Sequence, residues 1–303
     1  MEEPKHILIT GGTGFIGKIL CPRLQQKGYH VLVLTRNPAK HRERESESLR
    51  FLSSVSEISN DTSIDTIINL AGEPLGEGKW TEERKKTFLS SRVRITQELI
   101  DLMQRLERKP KQFLSSSAVG FYGPQGDTIL VEDSAPVDCY LYQLCKKWEE
   151  VALQARDIGV RCCVLRIGIV LGAHGGPLAE LSLPFRWKVA AQLGDGRQWM
   201  PWIHLEDIIG VVFFLMENPT VEGVCNLSAP NPVTNAEFCQ ILGTLMRTWI
   251  SVRVPAGLVS WLAGELADEI LLVSQRVLPR KLEQAEYSFQ YPHIKDCLQS
   301  LIS

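Results

Sequence analysis

Three glycines spaced G-x-x-G-x-x-G, Gly11, Gly14 and Gly17, punctuate the segment TGGTGFIG. Between an apolar run and a helical one, that spacing suits a turn that holds a pyrophosphate. Gly11 permits the tight turn, Gly14 lets a phosphate approach the backbone, and Gly17 lets helix and strand pack closely. Thr13, Phe15 and Ile16 complete the loop, and the following helix turns unpaired N–H groups and a positive dipole end toward phosphates. The next apolar run ends in Thr35-Arg36-Asn37, with no carboxylate to accept the ribose 2′-hydroxyl of NAD. A 2′-phosphate carries about −1.5 to −2 charges. Arg36 could pair with it through two parallel hydrogen bonds, or it could be an exposed loop arginine. The cofactor expected is NADP in preference to NAD.

A second group of residues suits proton transfer. The apolar run 66–70 leads into Leu70, Ala71 and Gly72, small enough at 71 and 72 for the backbone to pass close to a cofactor. Further on lies FLSSSAVGFYG, and 25 residues beyond Ser117 comes Tyr142-x-x-x-Lys146. At i and i+4 a tyrosine and a lysine share one helix face. The ammonium would lower the phenol pKa from about 10. The phenol could then exchange a proton with a substrate hydroxyl that Ser117 holds. The same spacing also arises on helices whose aromatics are merely core. His204, Trp199, Trp202 and Arg197 are further cleft candidates, although His204 also stands where packing and helix capping would use it.

The elements that must position these groups alternate. Strands are expected at 5–10, 30–35, 66–70, 112–116 and 161–167, with helices at 18–27, 81–107 and 140–157. Such alternation means a doubly wound parallel α/β sheet of Rossmann type. The polar stretch 37–63 yields no assignment. After residue 172 glycine and proline punctuate the chain, with helices expected at 206–217, 235–248 and 256–273 and strands at 223–227 and 251–254. The expected division is a dinucleotide-binding domain over 1–170 and a smaller mixed α/β lobe over 171–303.

Composition narrows the class. The chain has 303 residues, 33 basic and 35 acidic, a formal charge of −2, 44% hydrophobic and 22% charged. A near-neutral balance argues against nucleic acid or an anionic membrane as the main partner. No apolar run approaches the roughly 18–20 residues of a membrane span, and the acidic start MEEP is unlike a signal peptide. Eight scattered cysteines without C-x-x-C, and six histidines without a ligand pair, suggest neither a disulfide framework nor a metal site. These features fit a reduced, soluble, cytoplasmic protein of undetermined oligomeric state.

TGGTGFIG, NLAG, SSSA and the Ser–Tyr–Lys spacing resemble the extended short-chain dehydrogenase/reductases, the group of sugar-nucleotide epimerases and dehydratases. LRIGIVLG (165–172), which includes Val170, and WIHLEDIIG (202–210) resemble later motifs of that group that line the cofactor. The chain most resembles YfcH-like epimerase family proteins, through NLAGEPLGEGKWTEERK, SRVRITQ, LCKKWEE, GDGRQWMPWIH, PNPVTNAEF and QRVLPRKLEQAEYSFQYP. The last block, with Gln275, Arg276 and Arg280, marks a family-specific segment of about 50 residues. By that resemblance Arg92 stands where extended members usually place an asparagine; it could reach cofactor phosphates or the cleft, or form a surface pair with a glutamate. The resemblance also implies that relatives often lack a tyrosine at position 142 and carry arginine at 146. The function expected is an NADP-dependent oxidoreductase or epimerase-like enzyme acting on a small molecule through Ser117, Tyr142 and Lys146. The rival is a non-catalytic NADP-binding redox sensor or scaffold.

Overall fold

The runs HILIT and HVLVL form β1 (His6–Thr10) and β2 (His30–Leu34), and between them α1 (Gly17–Gln26) is ended by Gly28 at φ +82°. The computed structural model describes residues 5–76, 78–173 and 175–302. Five more strands join this sheet: β3 (Leu49–Leu52), β4 (Thr66–Asn69), β5 (Gln112–Ala118), β6 (Arg161–Ile167) and β7 (Gly223–Leu227). The order is β7-β6-β5-β4-β1-β2-β3 with every pair parallel. This is the Rossmann-type doubly wound sheet expected from the alternation. The strand order reverses between β1 and β4, which opens a crevice at their carboxyl ends. Strands covered on both faces read as continuous apolar runs, as the buried β1 and β4 show.

The covering helices are α2 (Glu82–Arg105), α3 (Tyr140–Leu153) and α4 (Leu205–Glu217). α2 starts on the Thr81 side chain and carries Glu82 and Glu83 in its first turn, where acids favour the dipole. α3 is shorter than expected because residues 154–158 tighten into a 3₁₀ turn ended by Gly159 at φ +77°.

Two features depart from the expected layout. β3 arises inside the polar stretch 37–63: Leu49, Phe51 and Leu52 are buried while Arg50 points outward. A four-residue edge strand is too short to announce itself by periodicity. The other departure concerns the division at residue 170. α4 and β7 come from beyond it, yet β7 pairs with β6 and completes the sheet. One core joins Ile7, Val33 and Leu114 to Ile203, Val212 and Leu227. The first lobe is therefore discontinuous in sequence.

The second lobe is built on α5 (Asn235–Leu245), α6 (Ala256–Ala263) and α7 (Ile294–Ile302). The long helix expected over 256–273 is broken by Gly264 at φ +59°, and 267–271 form a single π-helical turn. Phe185, Trp202, Phe238, Leu242 and Leu298 make this lobe's core. Its carboxyl-terminal segment is sewn into the first lobe. Arg276–Val277 runs parallel to Ile129–Leu130, Asn226 Nδ2 donates to the Leu278 carbonyl at 3.0 Å, and Leu282 lies in the first core. Truncation after Val254 removes these contacts, so the fragment should lose its cooperative thermal transition and bind a hydrophobic dye. A soluble fragment that melts cooperatively would show that the segment is dispensable.

Candidate cofactor and active site

The glycine loop is shaped for backbone contact. Gly11 has φ +69°, and a Cβ there would lie 2.5 Å from the Leu70 carbonyl oxygen. A Cβ on Gly17 would lie 2.4 Å from the Gly11 carbonyl oxygen, while Gly14 is exposed. Gly12 is equally constrained, since its Cβ would meet Val33 at 2.8 Å. No side chain caps α1, and no acid sits in its first turn. No side chain thus competes with an anion at the start of α1, although the Lys18 and Ile19 N–H groups already donate to the Gly14 and Ile16 carbonyls at 2.9 and 3.1 Å. The residues present fit a dinucleotide. Thr13 and Ile16 are half-buried at the loop. Phe15 lies against Gly172 and Gly176, where a Cβ would come within 2.8 and 2.6 Å of its ring. Those two glycines let their backbone approach the Phe15 ring; His174 lies outside the described residues.

Behind the loop a buried polar network joins three strands to two helices. Thr10 Oγ1 donates to Asn69 Oδ1 at 2.6 Å, and Asn69 Nδ2 donates to Thr96 Oγ1 at 2.9 Å and Ser115 Oγ at 3.2 Å. Trp148 Nε1 also donates to Thr96, and the Ala71 N–H donates to Thr10. This network holds Leu70, Ala71 and Gly72 against the glycine loop. Val170 is buried in the short pairing of 169–171 with 202–204.

The two arginines differ. Arg36 follows Thr35 past the end of β2, 94% exposed, with its nearest charge the Glu73 carboxylate at 3.7 Å. Arg92 is buried and donates to the Phe88 carbonyl at 3.0 Å and the Glu73 carbonyl at 2.9 Å, with its guanidinium over the Trp148 ring. A Cβ on Gly72 would lie 3.1 Å from that guanidinium. Arg92 thus braces the loop after β4 through backbone oxygens, and burial lowers its pKa from the ordinary arginine value.

At the carboxyl end of β5, Ser117 stands opposite Arg166 in the ladder, and its hydroxyl donates to Glu149 Oε1 at 2.6 Å. Arg166 grips Glu149 through two bonds of 2.9 and 2.8 Å and stacks on Phe121 at 3.4 Å. Burial opposes the Arg166 charge, but Glu149 outweighs it and raises the pKa. Glu149 reaches this spot from α3, on the face it shares with Leu141 and Cys145 at i−8 and i−4. Leu141 packs on Gly120, and Cys145 Sγ lies 3.7 Å from the Ala118 carbonyl, its thiol pushed up to about 12 by burial. Tyr142 and Lys146 fall one residue further round. The Tyr142 ring lies edge-on against Phe121, and its hydroxyl makes no hydrogen bond among the described residues. Lys146 is exposed, its ammonium 6.0 Å from the Tyr142 ring. No hydrogen bond joins Ser117, Tyr142 and Lys146 into the expected relay.

Of the remaining candidates, His204, Trp199 and Trp202 meet structural partners. His204 Nδ1 caps α4 by accepting the Glu206 N–H at 3.0 Å, and its ring stacks on Tyr291. Burial depresses its pKa to about 4. Trp199 donates to Asp127, Trp202 donates to the Asn231 carbonyl, and Arg197 and Arg280 are exposed. Arg276 stacks on Trp199 at 4.4 Å. Gln275 gains a role that the sequence did not disclose: its amide donates to the Val119 and Gly123 carbonyls at 3.1 and 3.0 Å. It also borders a cavity of about 190 Å³ lined by Gly120, Leu141 and Glu269. Glu269 takes the first two N–H groups of α3, at 3.2 and 3.1 Å. Glu149, Arg166 and Glu269 were missed because their partners lie far away in sequence.

The pattern of the NAD dependent epimerase/dehydratase family matches residues 7–227, and that of a domain of unknown function, DUF1731, matches residues 254–301. The chain belongs to the NAD dependent epimerase/dehydratase family. It is 35% identical to the epimerase family protein SDR39U1 homolog, chloroplastic, of Arabidopsis thaliana, over 99% of this chain and 88% of that one. It is 34% identical to epimerase family protein YfhF of Bacillus subtilis, over 98% of each. Both bear the broad family name rather than the narrower YfcH-like one. Among solved structures, human epimerase family protein SDR39U1 (isoform 2) with NADPH superposes with TM-score 0.88 at 32% identity, covering 98% of this chain and 99% of that one. UDP-glucuronic acid 4-epimerase of Bacillus cereus, at 17% identity and TM-score 0.76, shares the fold.

Two outcomes follow for an epimerase family member built this way. Glu149→Ala leaves the buried Arg166 charge uncompensated and should cost about 3–5 kcal/mol by chemical denaturation. The double variant Glu149→Leu/Arg166→Met should be markedly less damaging than that single one. His204, neutral when folded, takes up a proton only below its depressed pKa. Stability should therefore fall by roughly 2–3 kcal/mol as pH drops from about 6.5 to about 4. His204→Asn keeps a capping acceptor and should flatten that part of the stability profile.

Proposed function

We propose that the protein is an NADP(H)-dependent oxidoreductase or epimerase-type enzyme, acting on a small carbonyl or hydroxyl compound held between the two lobes. The observation that carries this reading is the open glycine cradle with Arg36 at the end of β2 and no carboxylate in the place that would take a ribose 2′-hydroxyl. Arg36 needs only to leave Glu73 to meet a 2′-phosphate, and the human relative solved with NADPH supports that choice of nucleotide. When bound, the cofactor supplies a hydride donor or acceptor at its nicotinamide ring. The chain supplies Ser117, buried beside the Cys145 thiol, whose hydroxyl donates to Glu149 and whose oxygen would be the acceptor for a substrate hydroxyl. Arg166 holds Glu149 in place through two hydrogen bonds, so that Ser117 stays in one orientation.

A second reading, an NADP(H)-binding sensor without turnover, is favoured by one observation. The α3 face that meets Ser117 carries Leu141 and the high-pKa thiol of Cys145, neither of which exchanges protons at neutral pH.

Titration with both nucleotides, followed by NADPH oxidation over a panel of aldehydes and ketones, separates these readings. NADPH should bind more tightly than NADH, and Arg36→Glu should cost about ten- to a hundred-fold in NADPH affinity. Ser117→Ala should lower turnover by about a hundred-fold with NADPH affinity kept, while Tyr142→Phe should change it little. Equal affinities would remove the NADP assignment. A collapse of turnover in Tyr142→Phe would restore the phenol as acid/base. Tight NADPH binding without oxidation by any carbonyl would favour the sensor.

A further inference from the structure

Large apolar side chains left in water gather at one place. Of the ten that are exposed among the described residues, eight fall within 183–187 and 249–262. Three are tryptophans: Trp187, Trp249 and Trp261 are 81%, 84% and 78% exposed. A soluble surface rarely carries such a concentration unless something covers it.

The fold brings these segments together. Strand Val189–Leu193 pairs in parallel with Ile250–Val254, and the Trp249 N–H donates to the Lys188 carbonyl at 3.0 Å. Trp187 and Trp249, each just before its strand, therefore share one end of the ribbon. Ile250, Val252 and Arg253 lie exposed along the outer strand. At its far end the chain turns at Pro255 into α6, whose Leu258, Trp261 and Leu262, at i, i+3 and i+4, all face water.

Charge distinguishes this end of the lobe from the rest. The chain carries two more acids than bases, yet residues 181–194 and 238–264 contain Arg186, Lys188, Arg247 and Arg253 and no acid. The three arginines are exposed, whereas Lys188 is held on the Met246 carbonyl. Acids stand at the patch's margin, with Asp268 accepting from Ser260 of α6 and Glu265 just past that helix, so the exposed arginines favour an anionic partner. A second copy meeting this patch across a two-fold axis would set arginines against arginines. An acidic peptide would need a recess, whereas these tryptophans project.

We propose that this end of the second lobe docks on an anionic lipid surface, with Trp187, Trp249 and Trp261 anchored at headgroup depth and Arg186, Arg247 and Arg253 on lipid phosphates. Tryptophan is enriched at that depth because its ring is apolar and its N–H polar. Apolar burial and attraction to anionic lipid together hold a protein on a membrane it does not cross. No helix among the described residues is long and apolar enough to cross one. The proposal departs from the expectation drawn from net charge, because a whole-chain sum does not register a local excess.

Flotation of the full chain with phosphatidylcholine vesicles, with and without 30% phosphatidylserine (about 0.1 M salt), tests the proposal. The protein should float with the phosphatidylserine vesicles, with a blue-shifted tryptophan emission, and stay behind with pure phosphatidylcholine. Partitioning should fall about five-fold for each of Arg186→Gln, Arg247→Gln and Arg253→Gln. Trp187→Ser/Trp249→Ser/Trp261→Ser should abolish the blue shift and leave NADPH affinity and melting temperature unchanged. Failure to float at that salt, flotation indifferent to the arginines, or a dimer in solution that the tryptophan variant dissolves would overturn it.

Discussion

The carboxamide of Asn69 is the constraint on which the cofactor crevice depends. It lies fully buried at the end of β4, where the strand order reverses, and satisfies Thr10 of β1, Ser115 of β5 and Thr96 of α2 together. Each of these groups would cost about 1–3 kcal/mol if left unpaired, so the ends of three strands and α2 hold one another in a single arrangement. That arrangement sets the clearance between the Leu70 carbonyl and Gly11, where even a methyl group has no room. Arg92 extends the same bracing outward by fastening the Glu73 carbonyl over α2.

A comparable constraint governs the catalytic end. The Glu149–Arg166 pair is buried on both sides, so α3 cannot rotate about its axis without exposing one charge to an apolar interior. Fixing Glu149 toward β5 fixes Leu141 and Cys145 there as well, about two turns and one turn nearer the helix start. Tyr142 is then carried about 100° away, onto Phe121. The chemistry open to the site is decided by which residue of α3 meets Ser117, and the ion pair decides that.

Much of this was legible in the residues. The glycine loop, the parallel alternation, NLAG and the missing carboxylate at Arg36 are local patterns whose physics is contained in a few neighbouring positions. β7 is legible as a strand, but nothing in GVCNL says that it joins the edge of the sheet beside β6. The phase of α3 escaped because Tyr142-x-x-x-Lys146 gives a helix face only relative to itself. The buried set Leu141, Leu144, Cys145, Trp148 and Glu149 would have fixed that phase, had the single charge among them been read as the partner of Arg166. Gln275 and Glu269 act on backbone groups more than a hundred residues away, a relation that spacing does not express.

A crystal structure of the protein with NADPH tests the account most directly, because it reads the cradle, Arg36 and the phase of α3 at once. The account predicts the pyrophosphate on the N–H groups between Gly11 and Gly17, the Arg36 guanidinium on the 2′-phosphate, and the Ser117–Glu149–Arg166 bonds intact beside the nicotinamide. A Tyr142 hydroxyl bonded to the nicotinamide ribose, with Glu149 turned away from Ser117, would contradict it.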